Sequence, residues 1–188
     1  MKEAFEVWEN LGSREMRDYR IFSVHENLRR GPHGKEGAFV TIQAPDWAIV
    51  IPLVEREGQR FLLSVSQFRH GTERVYHEFP GGVIEPGEAP ADAARRELLE
   101  ETGCEASSFE LLGSFSPNPA IMANTQYVFF ASGLSKVSEQ KLDEHEFVHV
   151  SEIPEREMLE KLGNGDWGHA LMAASALLYA RKFGLLRA

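Results

Sequence analysis

The first part of the chain alternates apolar and polar residues, which is the pattern of strands that bury one face. This alternation predicts strands over Tyr19–Leu28 and Ala38–Ala44, joined by a loop that contains three glycines. Trp47–Val54 is almost wholly apolar and predicts a strand buried on both faces, with Phe61–Phe68 returning beside it. Because two or three strands alone bury little, we expect the first strands to pack on a further surface.

A helix is predicted over Pro90–Thr102, where alanine, leucine, arginine and glutamate predominate. A proline suits the first turn of this helix, and the glycine that follows Thr102 ends it. The preceding segment, FPGGVIEPGE, holds three glycines and two prolines, which argues against a regular element. The apolar stripe of the helix is expected at Ala91, Ala94 and Leu98.

The rest of the chain continues the alternation of strands and helices. Strands are predicted at Phe109–Phe115, Gln126–Ala131 and Phe147–Val150, and helices at Ile153–Leu162 and His169–Phe183. The last helix is expected to bury a stripe formed by Leu171, Ala174, Leu177 and Leu178. This order predicts an α/β protein with a mixed central sheet between layers of helices. Residues 1–46 would form an N-terminal β extension, and residues 47–188 the main domain.

Composition narrows the classes of partner and compartment. A chain of 188 residues with formal net charge −9 lacks the basic surface of a nucleic-acid-binding protein. The single cysteine excludes an internal disulfide and fits a reducing, cytoplasmic compartment. No apolar run reaches membrane-spanning length, and the N-terminus lacks the apolar core of a signal peptide, so we expect no membrane association.

Three glutamates of the predicted helix, Glu97, Glu100 and Glu101, fall on one side of it because they are spaced three and four residues apart. Like charges at this spacing cost roughly 0.2–0.5 kcal/mol per pair. A cluster of this kind is most simply a solvated acidic face, partly neutralised by Arg95 and Arg96. A rigid glycine-rich loop beside it changes the interpretation, since carbonyl and carboxylate oxygens are the ligands that Mg²⁺ and Mn²⁺ prefer.

The segment also resembles a known motif. Gly82, Glu88 and the run RELLEETGC from Arg96 to Cys104 match the Nudix box at every charged and glycine position. Cys104 takes the final apolar position of the box as a small hydrophobic residue. The resemblance implies a Nudix-type α/β/α sandwich and a hydrolase that cleaves a nucleoside diphosphate linked to another group.

The resemblance implies a metal site in the box. Its ligands to Mg²⁺, with Mn²⁺ as a possible substitute, would be the carbonyl of Gly81 and the carboxylates of Glu97, Glu100 and Glu101. Arg96 would orient a glutamate through a charge-assisted hydrogen bond, and Glu88 would brace the loop. Arg96 and Glu100 therefore belong to the expected catalytic set.

The catalytic base is expected in the acidic loop that follows Leu142. Related hydrolases carry the base in such a loop, whereas its composition alone would indicate a solvated turn. Glu144 is the first choice, Glu146 is the second, and a glutamate of the box is a further possibility.

Three residues are expected to contact the substrate. Arg69 leaves a buried strand beside the glycine loop and suits a phosphate or carboxylate, although a surface arginine would look the same in sequence. The resemblance implies that Glu78 and Pro119 also contact the substrate. Glu78 is equally consistent with a solvated strand end, and Pro117 is an alternative to Pro119.

The resemblance favours the branch that hydrolyses nucleotide sugars such as ADP-ribose or GDP-mannose, and it implies a homodimer that exchanges the N-terminal strands. One alternative is a hydrolase that removes damaged nucleoside triphosphates, but such an enzyme needs neither the N-terminal strands nor the acidic loop. Another is a catalytically silent nucleotide-sugar sensor, against which the complete set of box glutamates argues.

Overall fold

A computed structural model describes residues 7–186 of the chain. These residues form two compact units. One contains the N-terminal strands up to Pro45 together with Ser116–Thr125, and the other contains Asp46–Phe115 and the chain from Gln126 onward. The division at residue 46 stays a prediction, and the segment Ser116–Thr125 groups with the N-terminal strands rather than with the main domain.

The N-terminal unit is an antiparallel sheet of three strands in the order β1-β2-β3: β1 Glu9–Asp18, β2 Ser23–Arg30 and β3 Glu36–Gln43. β1 was not predicted, because its residues are mostly polar and nearly all are exposed. The strand predicted from Tyr19 begins at Ser23, since Tyr19–Phe22 forms a turn in which the Tyr19 N–H donates to the Phe22 carbonyl (2.9 Å).

The second unit is built on a seven-stranded sheet. Its strands are β4 Trp47–Arg56, β5 Gln59–Arg69, β6 Arg74–Glu78, β7 Gly81–Val83, β8 Cys104–Phe115, β9 Gln126–Lys136 and β10 Val148–Pro154. The order is β10-β5-β4-β9-β8, with β6 paired to β5 and β7 paired to β4. β4 and β9 run parallel, while the other pairings are antiparallel, so the sheet is mixed.

Helices cover both faces of this sheet. They are α1 Pro90–Thr102, α2 Glu155–Lys161 and α3 Ala170–Lys182, with a 3₁₀ turn at Gly165–Trp167. One core cluster joins α1 to one face through Leu98, Val50 and Phe129, and a second joins α2 and α3 to the other through Met158, Tyr179 and Ile51. The predicted α/β/α sandwich is confirmed.

The bounds of α1 are the predicted ones. Gly103 ends the helix with a left-handed backbone (φ 67°) and donates its N–H to the Leu99 carbonyl (2.7 Å). A Cβ at Gly103 would lie 2.1 Å from the Ser138 carbonyl oxygen, so glycine is required there for space as well as for conformation.

Several predicted details were wrong. Part of FPGGVIEPGE is regular after all, since Gly81–Val83 forms β7 against Trp47–Ile49. β8 begins at Cys104 rather than Phe109, and a bulge between Leu111 and Gly113 breaks its alternation. The buried stripe of α3 is formed by Met172, Ser175, Ala176, Tyr179 and Ala180, whereas Leu177 is 56% exposed.

No helix within residues 7–186 is both long enough and apolar enough to cross a membrane.

Candidate active site

The carboxylate of Glu101 lies inside the protein at the contact between α1 and β7. The residue is 3% exposed, and its Oε2 accepts a hydrogen bond from the Gly81 N–H (2.9 Å). The helix brings Glu101 there because the apolar face of α1 packs on the sheet, while β7 pairs with β4 beside it. Gly81 thus contacts a box glutamate through its N–H, and the role of its carbonyl as a metal ligand stays a prediction.

Burial raises the pKa of Glu101 well above its usual range, and the nearby charges of Glu97 and Glu146 add to the effect. The Gly81 hydrogen bond and the charge of Arg69 act in the opposite direction. Burial also raises the pKa of Glu97, against the opposing contacts of Arg96. The site therefore places carboxylates where burial disfavours their charged form, and a bound cation would offset that charge.

Gly82 leaves room for the Glu97 carboxylate against the backbone of the loop. A Cβ at this position would lie 2.4 Å from Glu97 Oε1. Any residue other than glycine would therefore push this carboxylate away from the loop.

Arg96 holds the box together through five hydrogen bonds. Its Nε and Nη2 donate to the two carboxylate oxygens of Glu88 (2.9 and 3.1 Å), and Nη2 also donates to the Val83 carbonyl (2.9 Å). Nη1 donates to Glu97 (2.7 Å) and Glu100 (3.1 Å). These hydrogen bonds raise the pKa of Arg96, led by those to Glu88, and the same pair lowers the pKa of Glu88. Arg96 therefore connects the loop to two glutamates of α1, and the catalytic roles expected of Arg96 and Glu88 stay predictions.

The acidic loop brings Glu146, rather than Glu144, to the box. The charge of Glu146 contributes to the raised pKa values of Glu97, Glu101 and Arg69. Its Oε1 also accepts a long hydrogen bond from the Gln67 amide (3.5 Å). Glu144 is exposed, and within the described part of the chain its side chain makes no hydrogen bond or ion pair. Of the two candidates, Glu146 is the one whose charge raises the pKa values of the box carboxylates.

Arg69 and Glu78 form a two-point ion pair with each other. Arg69 Nε donates to Glu78 Oε1 (2.8 Å) and Nη2 donates to Oε2 (2.5 Å). The Glu78 side chain is 2% exposed and that of Arg69 is 43% exposed, so the arginine is the member that solvent reaches. The hydrogen bond to Glu78 raises the pKa of Arg69. Its Nη1 is not used in this pair.

Pro119 is exposed in the segment Ser116–Thr125, which belongs to the N-terminal unit, while the carboxylates belong to the other unit. Its contact with substrate stays a prediction.

The carboxylates of the box do not converge on one point in this structure. Within residues 7–186, no group of three or more histidine, cysteine or acidic side chains is arranged as a finished metal site. Arg96 draws Glu97 and Glu100 to itself, and the Gly81 N–H holds Glu101. The donor set is nevertheless the one that a hard divalent cation takes, since it consists of carboxylate oxygens with charge in excess. The residues fit such an ion once these side chains turn from their present partners.

Two contacts near the box were not foreseen. The Gln140 side-chain amide donates to the carbonyls of Glu101 (2.6 Å) and Val148 (3.2 Å). The Phe79 N–H, two residues before Gly81, donates to the sulfur of Met172 on α3 (3.1 Å). Gln140 lies 39 residues from Glu101, and Met172 lies 93 residues from Phe79. Neither glutamine nor methionine carries a local sequence signal for such a role.

Comparison with known proteins agrees with this arrangement. Residues 44–174 match the family model of the NUDIX domain, which is more than half of the chain. The chain belongs to the Nudix family, whose hydrolases generally use divalent metal ions.

Two curated relatives give the scale of the similarity. The ADP-ribose pyrophosphatase of Bacillus subtilis is 37% identical over 123 residues, which are 65% of this chain and 65% of that protein. The methanol dehydrogenase activator of Bacillus methanolicus is 34% identical over 69% of both chains. The match thus covers just under two thirds of the first relative.

A solved structure extends the similarity to nearly the whole chain. The crystal structure of an ADP compounds hydrolase matches with a TM-score of 0.82 and covers 95% of this chain and 97% of that one, at 23% identity. At this level of identity the likeness supports the fold alone and does not indicate the substrate.

Proposed function

We propose that the protein hydrolyses the pyrophosphate bond of a nucleoside diphosphate sugar, with ADP-ribose as the first candidate and GDP-mannose as the second. The observation that carries the proposal is the geometry of the box, in which Arg96 binds Glu97 and Glu100 and the Gly81 N–H binds the buried Glu101. The charges of Arg69 and Glu146 act on the pKa of Glu101. Relatives named ADP-ribose pyrophosphatase and ADP-sugar pyrophosphatase support the substrate class.

Mg²⁺, with Mn²⁺ as a substitute, would be held by Glu97, Glu100 and Glu101 with the Gly81 carbonyl. When bound, the ion supplies charge that offsets the substrate phosphates and favours deprotonation of water. Arg96 keeps Glu97 and Glu100 on the same side of α1, and Glu88 anchors Arg96 to the loop. Arg69 would bind a phosphate oxygen through Nη1, with Glu78 fixing its orientation, and Pro119 would shape the sugar or base end.

Glu146 is the proposed base, and Glu144, the sequence-based first choice, is replaced by it here. Water attacks one phosphorus while its proton passes to the Glu146 carboxylate, and the bond from that phosphorus to the bridging oxygen breaks. The bridging oxygen leaves on the other phosphate. The products are a nucleoside monophosphate and a sugar phosphate.

The direct test is an assay of the purified full chain with ADP-ribose, GDP-mannose, UDP-glucose and nucleoside triphosphates, each with Mg²⁺ or Mn²⁺. We expect AMP and ribose 5-phosphate from ADP-ribose, identified by chromatography. Release of inorganic pyrophosphate from triphosphates alone would instead support the triphosphate hydrolase. Binding of ADP-ribose without turnover would support the sensor.

Charge-removing variants connect the activity to the site. Glu100→Gln and Glu101→Gln keep side-chain size and remove an anionic ligand, so each should lower kcat by about 10²-fold or more. Glu105→Gln, at an exposed position of β8, is the matched control and should retain wild-type kcat. Near-normal kcat in both box variants at saturating Mg²⁺ would rule out the proposed ligands.

We further propose a homodimer formed through the N-terminal strands and a cytoplasmic location. The exposed aromatic and aliphatic side chains of the three-stranded sheet support the first. A single, unpaired cysteine supports the second.

A further inference from the structure

The acidic loop is bound to α1 at its start by two neighbouring residues, one of which also binds the far end of the loop. At the start, the Lys141 N–H donates to the Glu100 carbonyl (2.8 Å). Beside it, one nitrogen of Gln140 donates to the Glu101 carbonyl (2.6 Å) and to the Val148 carbonyl (3.2 Å). Val148 is the first residue of β10, directly after the loop. A single side-chain amide therefore joins the helix of the box to the far end of the loop.

We propose that Gln140 is a positioning residue that holds Glu146 beside the box carboxylates. This inference rests on the proposed function of Glu146, and it adds a residue that contacts neither substrate nor metal ligand side chain. The carbonyl of Glu101 is available because α1 ends at Thr102 and the last carbonyls of a helix have no partner within it. Gln140 uses both N–H groups of its amide, so it satisfies two carbonyls at once.

The contacts within the loop itself are few. A turn joins the Glu146 N–H to the Asp143 carbonyl (3.0 Å), and the Asp143 N–H donates to the Glu146 carboxylate over 3.4 Å. Phe147 is 82% exposed, so it adds little apolar packing. A short loop with so little of its own structure takes its position from its ends, and Gln140 connects those ends to the helix.

Amide hydrogen exchange tests the proposal without any substrate. Gln140→Leu removes both donors at similar volume, and we expect exchange in residues 142–147 to rise severalfold. Gln140→Lys restores a hydrogen-bond donor at this position, and it should return exchange toward the wild-type rate. Glu139→Leu, one residue earlier and also exposed, is the control and should leave exchange unchanged. Unchanged exchange in Gln140→Leu would overturn the proposal whatever the activity of the protein.

Kinetics then separate positioning from a general loss of structure. Gln140→Leu should lower kcat about three- to tenfold with KM nearly constant, since each lost hydrogen bond is modest. In a Glu146→Gln background the same change should have no further effect on kcat, because the group that it positions is already gone. Equal fold-losses in both backgrounds would overturn the role through Glu146. A wild-type protein that hydrolyses none of the substrates would refute the proposed function and leave the exchange result to decide the fate of the Gln140 contact.

Discussion

The three glutamates of α1 differ in their surroundings although they are neighbours in sequence. Glu101 is 3% exposed, whereas the Glu100 side chain is 35% exposed and faces Arg96. Because burial disfavours the ionised form, the pKa of Glu101 lies well above its usual range. In the metal-free protein a proton thus competes for the oxygen atoms that a cation would take.

This competition predicts that Mg²⁺ stabilises the protein more at about pH 8 than at about pH 6. A carboxylate with a raised folded pKa favours the metal-free fold below its unfolded pKa, and this contribution is lost as pH rises through the folded pKa. A bound cation removes the penalty of the charged form at high pH and must displace a proton at low pH. Thermal melts with and without Mg²⁺ at the two pH values measure the difference.

Glu101→Gln carries no such proton, so its Mg²⁺-dependent shift in Tm should be small at both pH values. Calorimetry in two buffers of different ionisation enthalpy should show proton release on Mg²⁺ binding for the wild type alone. A shift in Tm that is larger at the lower pH would contradict the assignment of Glu101.

Substitutions in the acidic loop distinguish its two glutamates. Glu146→Gln should lower kcat by about 10²–10⁴-fold, the usual contribution of a general base, while the affinities for substrate and Mg²⁺ change little. Glu144→Gln removes an exposed charge and should leave kcat within about twofold of the wild type. Steady-state kinetics at saturating Mg²⁺ measure both. The opposite ranking would return the role of base to Glu144.

At the scale of the elements, α3 contacts the segment that precedes β7 through a weak hydrogen bond. The Phe79 N–H is buried and donates to Met172 Sδ (3.1 Å), and thioether sulfur is a poor acceptor. Met172 itself is 4% exposed in the core cluster that joins α3 to the sheet. The helix therefore supports the segment Phe79–Gly81, from which Gly81 donates to Glu101.

Met172→Leu should destabilise the protein by roughly 1 kcal/mol more than Met158→Leu. Both methionines are buried in the same core cluster, and Met→Leu usually costs less than about 1.5 kcal/mol. Only at Met172 does the change leave a buried N–H without its acceptor, which costs about 1–3 kcal/mol. Urea denaturation gives the two free energies of unfolding. Equal losses would show that the sulfur contact contributes nothing.

Sequence patterns predicted those elements whose signals are local. The bounds of α1 followed from Pro90 and Gly103, and the burial of Trp47–Val54 followed from its composition. β7 was missed because two glycines and a valine carry no strand signal, and only pairing with β4 makes them a strand. β1 was missed because a polar strand without alternation looks like a loop.

The candidate site shows the same limit. The box glutamates and Arg96 could be named from their spacing on one helix, which fixes which side chains are neighbours. The choice between Glu144 and Glu146 could not be made from the sequence. The backbone of a loop is irregular, so the position of a residue in the sequence does not fix the direction of its side chain. Gln140 and Met172 act through contacts with residues 39 and 93 positions away, which no local pattern encodes.

At the scale of the whole molecule, the N-terminal unit leaves apolar side chains uncovered. Val40 is 61% exposed, and Phe39 is 44% exposed although it packs edge-on against Trp8 (ring centroids 5.1 Å apart). A sheet of three strands rarely buries enough surface to be stable alone, and exposed apolar groups on such a sheet indicate a partner. We propose a second copy of the chain as this partner, since any solution of the purified protein contains it.

The last prediction is that the protein is a dimer that Val40→Lys dissociates. Val40 is exposed in the single chain, so a lysine there costs little within one subunit but would introduce a buried charge in a dimer formed through this sheet. Leu177→Lys on α3 is the control, since Leu177 is 56% exposed outside the N-terminal unit and should not affect assembly. Light scattering at micromolar concentration should give twice the chain mass for the wild type and for Leu177→Lys, and the mass of one chain for Val40→Lys. A monomeric wild type would refute the dimer, whereas a dimer that persists in Val40→Lys would place the interface on another surface.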